Sequence, residues 1–195
     1  MGGLWEAAVK SMKFHAKRVI SHAHLTYEEL YTVFVQIEGI LNSRPITPLS
    51  DDPTDLLPLT PSHFLIGDVL NSIPEIDIRN VPDNRLSHYQ RTQQIVQHFW
   101  KRWSCEYLST LQQRPKWRFH KSNDLQIGDL VLLKNENTPP MRWPLGRITQ
   151  LHPGDDEVVR VVSVQTTNGV VKRAITKICK LPLEVTDKGA TNEQT

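Results

Sequence analysis

The spacing of apolar residues divides the chain into a helical first part and a strand-rich last part. Apolar side chains that recur every three or four positions predict two amphipathic helices within residues 4–43 and a long helix over residues 86–111. The predicted buried faces are Trp5, Val9, Met12, Ala16 and Val19 in the first helix, Leu30, Val33, Phe34, Ile37 and Leu41 in the second, and Leu86, Tyr89, Val96, Trp100, Trp103, Tyr107 and Leu111 in the third.

Local signals set the ends of these helices. Thr26 followed three residues later by Glu29 forms a capping-box pattern that starts the second helix. The same helix ends near Arg44, because a residue that precedes proline disfavours the helical backbone conformation. Residues 44–84 are rich in Pro, Asp, Asn and Ser, which predicts a connector with one short helical turn near residues 60–66.

After residue 123 the pattern changes to strands. Apolar and β-branched runs over residues 130–133, 145–151, 158–166 and 170–178 are separated by Pro153-Gly154 and Asn168-Gly169. Four short strands in so few residues predict a small barrel. The expected fold class is therefore α+β, and the polar tail from about residue 186 is expected to be disordered.

Charge is unevenly distributed along the chain, although its net value is only +2. Counting Lys and Arg against Asp and Glu, residues 1–24 carry +3, residues 25–84 carry −8, residues 85–121 carry +7 and residues 122–195 carry 0. Two basic blocks around an acidic one suggest a polyanionic partner, and the alternative is a set of solvated helix faces.

The sequence offers little for metal or thiol chemistry. Two cysteines, Cys105 and Cys179, are too few for a disulfide framework or a cysteine-based zinc site, and Cys105 is expected to be packed on its helix. His15, His22 and His24 lack a second cluster with zinc-ligand spacing, so they are interpreted as surface or interface histidines.

Five segments resemble, in order, the end of the integrase of BEL/Pao retrotransposons. Residues 2–13, GGLWEAAVKSMK, resemble its last catalytic motif, and residues 40–49, ILNSRPITPL, are similar to the stretch that follows. Residues 59–67, LTPSHFLIG, resemble the segment that closes the catalytic core. Residues 127–133, IGDLVLL, and 142–148, RWPLGRI, resemble the first two strands of the C-terminal SH3-like barrel.

The resemblance assigns domains and a catalytic residue. Residues 1–84 would be the helical end of an RNase H-like core, 85–121 a basic helix and linker, 122–184 the barrel and 185–195 a disordered tail. Glu6 would be the last acid of an Asp-Asp-Glu triad that binds two Mg²⁺ or Mn²⁺ ions for polynucleotidyl transfer. The two Asp residues would lie upstream, so we expect no catalysis by these residues alone. From the residues alone, Glu6 is better explained as a helix-start residue whose charge suits the positive end of the helix dipole.

The basic residues give a candidate DNA interface. The resemblance places Lys10 and Lys13 against DNA, one and two helical turns after Glu6, although an (i, i+4) pair with Glu6 would explain Lys10 as well. Basic residues interleaved with aromatics after the long helix favour phosphate contacts and base stacking, and the aromatics could instead be buried. The full set is Lys10, Lys13, Lys17, Lys101, Arg102, Arg114, Lys116, Trp117, Arg118 and Lys121.

The expected partners are DNA, the upstream segments of the integrase core and further integrase copies, inside the cell and with no membrane. Two alternatives stay open. One is a domesticated DNA- or chromatin-binding module without catalysis, and the other is a protein-interaction barrel, because such barrels serve many functions.

Overall fold

A computed structural model of the chain describes residues 3–21, 23–50, 52–112, 125–135 and 137–182, without the side chains of residues 3–5, 7 and 8. The helices are α1 (Gly3–Ile20), α2 (Tyr27–Asn42), α3 (Pro61–Ile66) and α4 (His88–Leu111), with 3-10 turns at Asp83–Arg85 and Ile175–Lys177. The strands are β1 (Thr47–Pro48), β2 (Pro58–Leu59), β3 (Leu130–Leu133), β4 (Leu145–Pro153), β5 (Val159–Thr166), β6 (Gly169–Ala174) and β7 (Ile178–Lys180). The described chain is therefore a mixed α+β structure with one long helix and one principal sheet.

Side chains that cap the helices explain where the helices begin. At α2 the Thr26 hydroxyl accepts from the Glu29 backbone N–H at 3.3 Å, and the Glu29 carboxylate accepts from the Thr26 N–H at 2.8 Å, as the sequence predicts. Ser87 and Gln90 form the same reciprocal pair at the start of α4. Because Ser87 takes the capping position, α4 begins at His88 and not at the predicted Leu86.

Helices α1, α2 and α4 share one apolar core. The buried members are Ala16, Val33, Ile37, Ile40, Ile95, Val96, Phe99, Trp100 and Trp103. Helix α4 therefore covers these faces of the first two helices. Apolar side chains stay partly exposed at the edge of the core, where Val9 is 44% exposed and Phe34 is 40% exposed.

The principal sheet is antiparallel and has the strand order β6-β5-β4-β3-β7. The predicted strand over residues 170–178 is interrupted, because the 3-10 turn Ile175–Lys177 carries the chain from β6 to the opposite edge, where β7 pairs with β3. The three residues of that turn make no ladder pairs. Among the described residues the sheet therefore does not close, and the predicted closed barrel is corrected to an open five-stranded sheet.

Part of the connector packs on this sheet. Strands β1 and β2 form a short antiparallel pair, and the Thr47 hydroxyl donates to the Pro182 carbonyl at 2.8 Å. Arg147 on β4 is only 7% exposed, and its guanidinium donates to the carbonyls of Asp55, Gly128 and Ser50 at 2.8, 2.9 and 2.8 Å. One buried cation thus fixes the connector and the turn before β3 to the same strand.

An aromatic cluster joins the helices to the sheet. Trp143, just before β4, packs against both the helical core and a second core of Leu130, Leu132, Cys179 and Leu181. The centroid of its ring system lies 4.7 Å from that of Trp100, 5.6 Å from that of Tyr107 and 6.1 Å from that of Trp103. Its indole N–H donates at 3.2 Å to the hydroxyl of Ser43, the residue that caps the end of α2, so this helix also contacts Trp143.

We expect Phe99→Ala to destabilise the fold by about 3–5 kcal/mol, because Phe99 is fully buried where α1, α2 and α4 meet. Phe34→Ala removes the same atoms from a residue that is 40% exposed, so its loss is expected to be clearly smaller. Urea unfolding followed by circular dichroism measures both losses. Equal losses would show that the helical core does not depend on Phe99.

We expect Arg147→Met to lower the free energy of unfolding by roughly 2–3 kcal/mol, because three partly buried carbonyls lose a charged donor. Arg142→Met is the matched control, since Arg142 is exposed on the segment before the same strand. Chemical denaturation of both variants is the measurement. An unchanged midpoint for Arg147→Met would mean that the connector is held by other contacts.

Candidate nucleic-acid interface

Glu6 lies in the first turn of α1 with an exposed side chain. This position suits a carboxylate, because the N-terminal end of a helix carries partial positive charge. Among the described residues, no three His, Cys, Asp or Glu side chains come close enough together to hold a metal ion. The described residues therefore supply a single exposed carboxylate at this end of the helix.

Lys10, Lys13 and Lys17 are all exposed on α1. The side of α1 that faces α4 carries different residues: the Ser11 hydroxyl donates to Glu106 Oε1 at 2.8 Å, and His15 Nε2 lies 2.7 Å from Glu106 Oε2. Helix α1 is thereby oriented so that its three lysines face away from α4.

The contact between α1 and α4 is partly buried and charged. His15 is 5% exposed and contacts Glu106 of α4, so of the two predicted positions, surface or interface, it takes the interface. The hydrogen bond from Ser11 and the neighbouring His15 lower the pKa of Glu106 below its usual 4.5. Within the described part of the chain, His15 Nδ1 has no hydrogen-bond partner.

Lys101 and Arg102 are exposed on α4 and belong to a basic cluster around His98. Burial lowers the pKa of His98, and the charges of Arg79, Lys101 and Arg102 lower it further. Arg79 is largely neutralised, because its guanidinium contacts Asp77 at 2.9 and 2.6 Å and holds the pKa of that carboxyl at about 2. Lys101 and Arg102 therefore remain the available charges of this cluster.

A basic groove that sequence reasoning missed lies between β3 and the end of β6. It has a volume of about 610 Å³, is open to solvent, and is lined by Lys134, Asn135, Asn137, Thr138, Arg173 and Lys177. The distribution of charge along the sequence did not indicate Lys134, Arg173 and Lys177, because residues 122–195 carry no net charge. In the sequence, Lys134 and Lys177 lie at the ends of predicted apolar strands and Arg173 lies within one, which does not single them out.

A smaller and more apolar cleft of about 230 Å³ adjoins this groove and shares Asn135 and Thr138 with it. Its other lining residues are Trp100, Lys101, Ser104, Cys105, Leu108, Leu133, Trp143 and Pro144. Cys105 is exposed here, so the prediction that it is packed is wrong, whereas Cys179 is buried and burial raises the pKa of its thiol to about 11.

Five residues of the predicted interface, Arg114, Lys116, Trp117, Arg118 and Lys121, lie outside the described residues, as does the tail from residue 183. Gln112, which is described, accepts a 2.6 Å hydrogen bond from Lys134 and donates to the carbonyls of Thr176 and Ile178. The end of α4 is thus fixed beside the basic groove.

Residues 87–181 match the model of a family of unknown function, DUF5641, a stretch that contains α4 and the complete five-stranded sheet. No curated protein and no solved structure matches the chain. Among the helices described, none combines the length and the apolar character that crossing a membrane requires.

We expect the thermal stability of the chain to fall more steeply than that of Glu106→Gln as the pH drops below 4.5. A carboxyl with a lowered folded-state pKa contributes stability above its unfolded-state pKa and loses it as the pH falls through the folded-state value. Melting temperatures between pH 6 and pH 3 test this difference. Parallel curves for the two proteins would show that the Glu106 contacts with Ser11 and His15 do not contribute.

Proposed function

We propose that these residues form the nucleic-acid-binding end of a retrotransposon integrase of the BEL/Pao type. The proposal rests mainly on those basic side chains of the predicted interface whose positions the structure describes. All of them are exposed and, within the described residues, none forms an ion pair with a carboxylate: Lys10, Lys13, Lys17, Lys101 and Arg102. The ordered sequence resemblances support the same conclusion.

Surface cations without a carboxylate partner can contact the phosphates of a nucleic-acid backbone. Each cation that contacts a phosphate releases condensed counterions, and this entropy supplies affinity without sequence preference. Arg114, Lys116, Arg118 and Lys121 follow α4 in the chain and extend the same basic block. We therefore assign binding to α4 and the residues after it, with α1 and the sheet contributing.

The proposal also gives the exposed apolar side chains of α2 a partner. Tyr27, Tyr31, Phe34 and Val35 recur at helical spacing, and their exposed fractions are 79%, 62%, 40% and 47%. In this proposal α1 and α2 are the last helices of an RNase H-like core, and the upstream segments of that core cover this face. The five-stranded sheet is then the SH3-like domain.

In the intact integrase, Glu6 would join two upstream Asp residues in holding Mg²⁺ or Mn²⁺. One exposed carboxylate does not make such a site, because the two-ion reaction needs several carboxylates to hold both metals at a fixed separation. The residues present here are therefore assigned to binding, and catalysis is assigned to the intact enzyme.

We expect no strand transfer and no end processing by this chain with either Mg²⁺ or Mn²⁺, because two of the three carboxylates of the triad are missing. Incubation with supercoiled plasmid and with labelled DNA ends is the measurement. Metal-dependent nicking that Glu6→Gln abolishes would contradict the assignment.

We expect the chain to bind duplex DNA with an affinity that falls steeply with salt. Replacing Lys116, Arg118 and Lys121 together by Glu removes up to three phosphate contacts, so the salt dependence of log Kd is expected to flatten by up to about 3. A salt titration followed by fluorescence anisotropy, on two unrelated DNA sequences, measures this slope.

The matched control replaces Arg142, Arg160 and Lys172 by Glu, which changes the net charge equally at exposed residues outside the basic block. This control is expected to keep most of the parent's slope. If both triple variants bind alike, the effect is one of overall charge, and the basic block is not the DNA-binding surface.

A further inference from the structure

The basic groove and the apolar cleft share the lining residues Asn135 and Thr138, and the two adjoining hollows are together called the depression. We propose that this depression binds an unpaired nucleotide of a nucleic-acid strand. Its phosphate lies against Lys134, Arg173 and Lys177, and its base enters the cleft. The inference rests on the proposed function, because it assigns a specific site to a chain proposed to bind nucleic acid.

At the basic end of the depression, hydrogen bonds to neighbouring groups hold Lys134 and Lys177 in place. Lys134 and Lys177 are held side by side, because the Lys134 N–H donates to the Lys177 carbonyl at 2.9 Å. Gln112 fixes the Lys134 ammonium from the other side. Within the described residues, neither these lysines nor Arg173 pairs with a carboxylate; Glu136, between two lining residues in sequence, lies outside them. Three cations that line one groove attract an anionic phosphate and offer it charged hydrogen-bond donors.

Neutral groups beside the cations add hydrogen-bond donors. The Asn137 side-chain oxygen accepts from Arg79 at 3.1 Å, which leaves its amide N–H groups to donate. An amide donor beside three cations favours an acceptor-only ligand such as a phosphodiester.

The other end of the depression is suited to a base. The indole N–H of Trp100 donates to the Thr138 carbonyl at 2.8 Å and that of Trp143 to Ser43 at 3.2 Å, so both polar atoms are already satisfied. The walls that remain are mainly apolar, with Lys101 and Cys105 also in the lining. A flat apolar group joined to an anion fills both ends at once, and unpaired nucleotides have that form, whereas the bases of a duplex are stacked and paired.

Cys105 reports directly on the cleft. It is exposed and lines the cleft, whereas Cys179 is buried and donates to the Leu108 carbonyl. We would measure the rate of iodoacetamide modification at each cysteine of the full chain by peptide mass spectrometry. A 5′-phosphorylated oligothymidylate is expected to slow Cys105 modification at least fivefold. Inorganic polyphosphate and polyglutamate are expected to leave that rate nearly unchanged. Blunt duplex DNA, which the proposed function places on the neighbouring Lys101 and Arg102, is expected to slow it clearly less than the oligothymidylate does.

Two neighbouring residues on β6 provide a test and a matched control. Arg173→Glu is expected to weaken oligothymidylate binding about tenfold and to abolish the protection of Cys105. Lys172→Glu makes the same charge change on the opposite face of the strand, because successive side chains alternate, and is expected to behave almost like the parent. Arg173→Gln serves as the second variant if circular dichroism shows that Arg173→Glu does not fold.

The outcomes separate this inference from the proposed function. If the parent binds DNA but Cys105 is never protected and Arg173→Glu or Arg173→Gln binds like Lys172→Glu, the nucleotide site is refuted and DNA binding elsewhere stands. Equal protection by duplex DNA or by polyglutamate overturns the unpaired-nucleotide assignment. If the parent binds no nucleic acid at any salt concentration, the proposed function fails together with this inference.

Discussion

The packing of Trp143 is the contact on which the rest of the structure depends. The two apolar cores of helices and sheet share this one side chain, whose rings contact Trp100, Trp103 and Tyr107 on α4. Large aromatic side chains bury the most apolar area per residue, so a single position can join two layers. Tyr107 adds a hydrogen bond to this contact between helix and sheet, since its hydroxyl donates to the Pro45 carbonyl. Burial raises the pKa of this hydroxyl to about 12.

The packing of Trp143 against α4 also positions the candidate sites. The cleft forms where α4 and the segment before β4 diverge, so Trp100 and Trp143 serve both the core and the cleft wall. Gln112 couples the end of α4 to Lys134 and to the carbonyls of Thr176 and Ile178, which fixes the last described residue after α4 beside the groove. The residues proposed to meet nucleic acid are therefore held by the same contacts that hold the helix on the sheet.

Local signals predicted the elements well, and non-local packing explains what they missed. The Thr26 capping box and strand β3 were predicted correctly because each depends on a few adjacent residues. The turn Ile175–Lys177 interrupts an apolar run that reads as one strand, since only the pairing of β7 with β3 decides where the chain bends. The groove cations were missed for a related reason: Lys134 and Arg173 are distant in sequence, and they line one groove because the turn Ile175–Lys177 leads from β6 to β7, which pairs with β3.

Arg147 has a consequence for how such a sheet could be exchanged between proteins. The segment that matches a known family starts at residue 87, yet two of the three carbonyls that satisfy this buried guanidinium belong to Ser50 and Asp55. A recombination junction placed at residue 87 would carry the cation into its new host without those acceptors. A segment that is to carry the sheet together with all three acceptors of Arg147 must therefore begin no later than Ser50 and include the loop between β1 and β2.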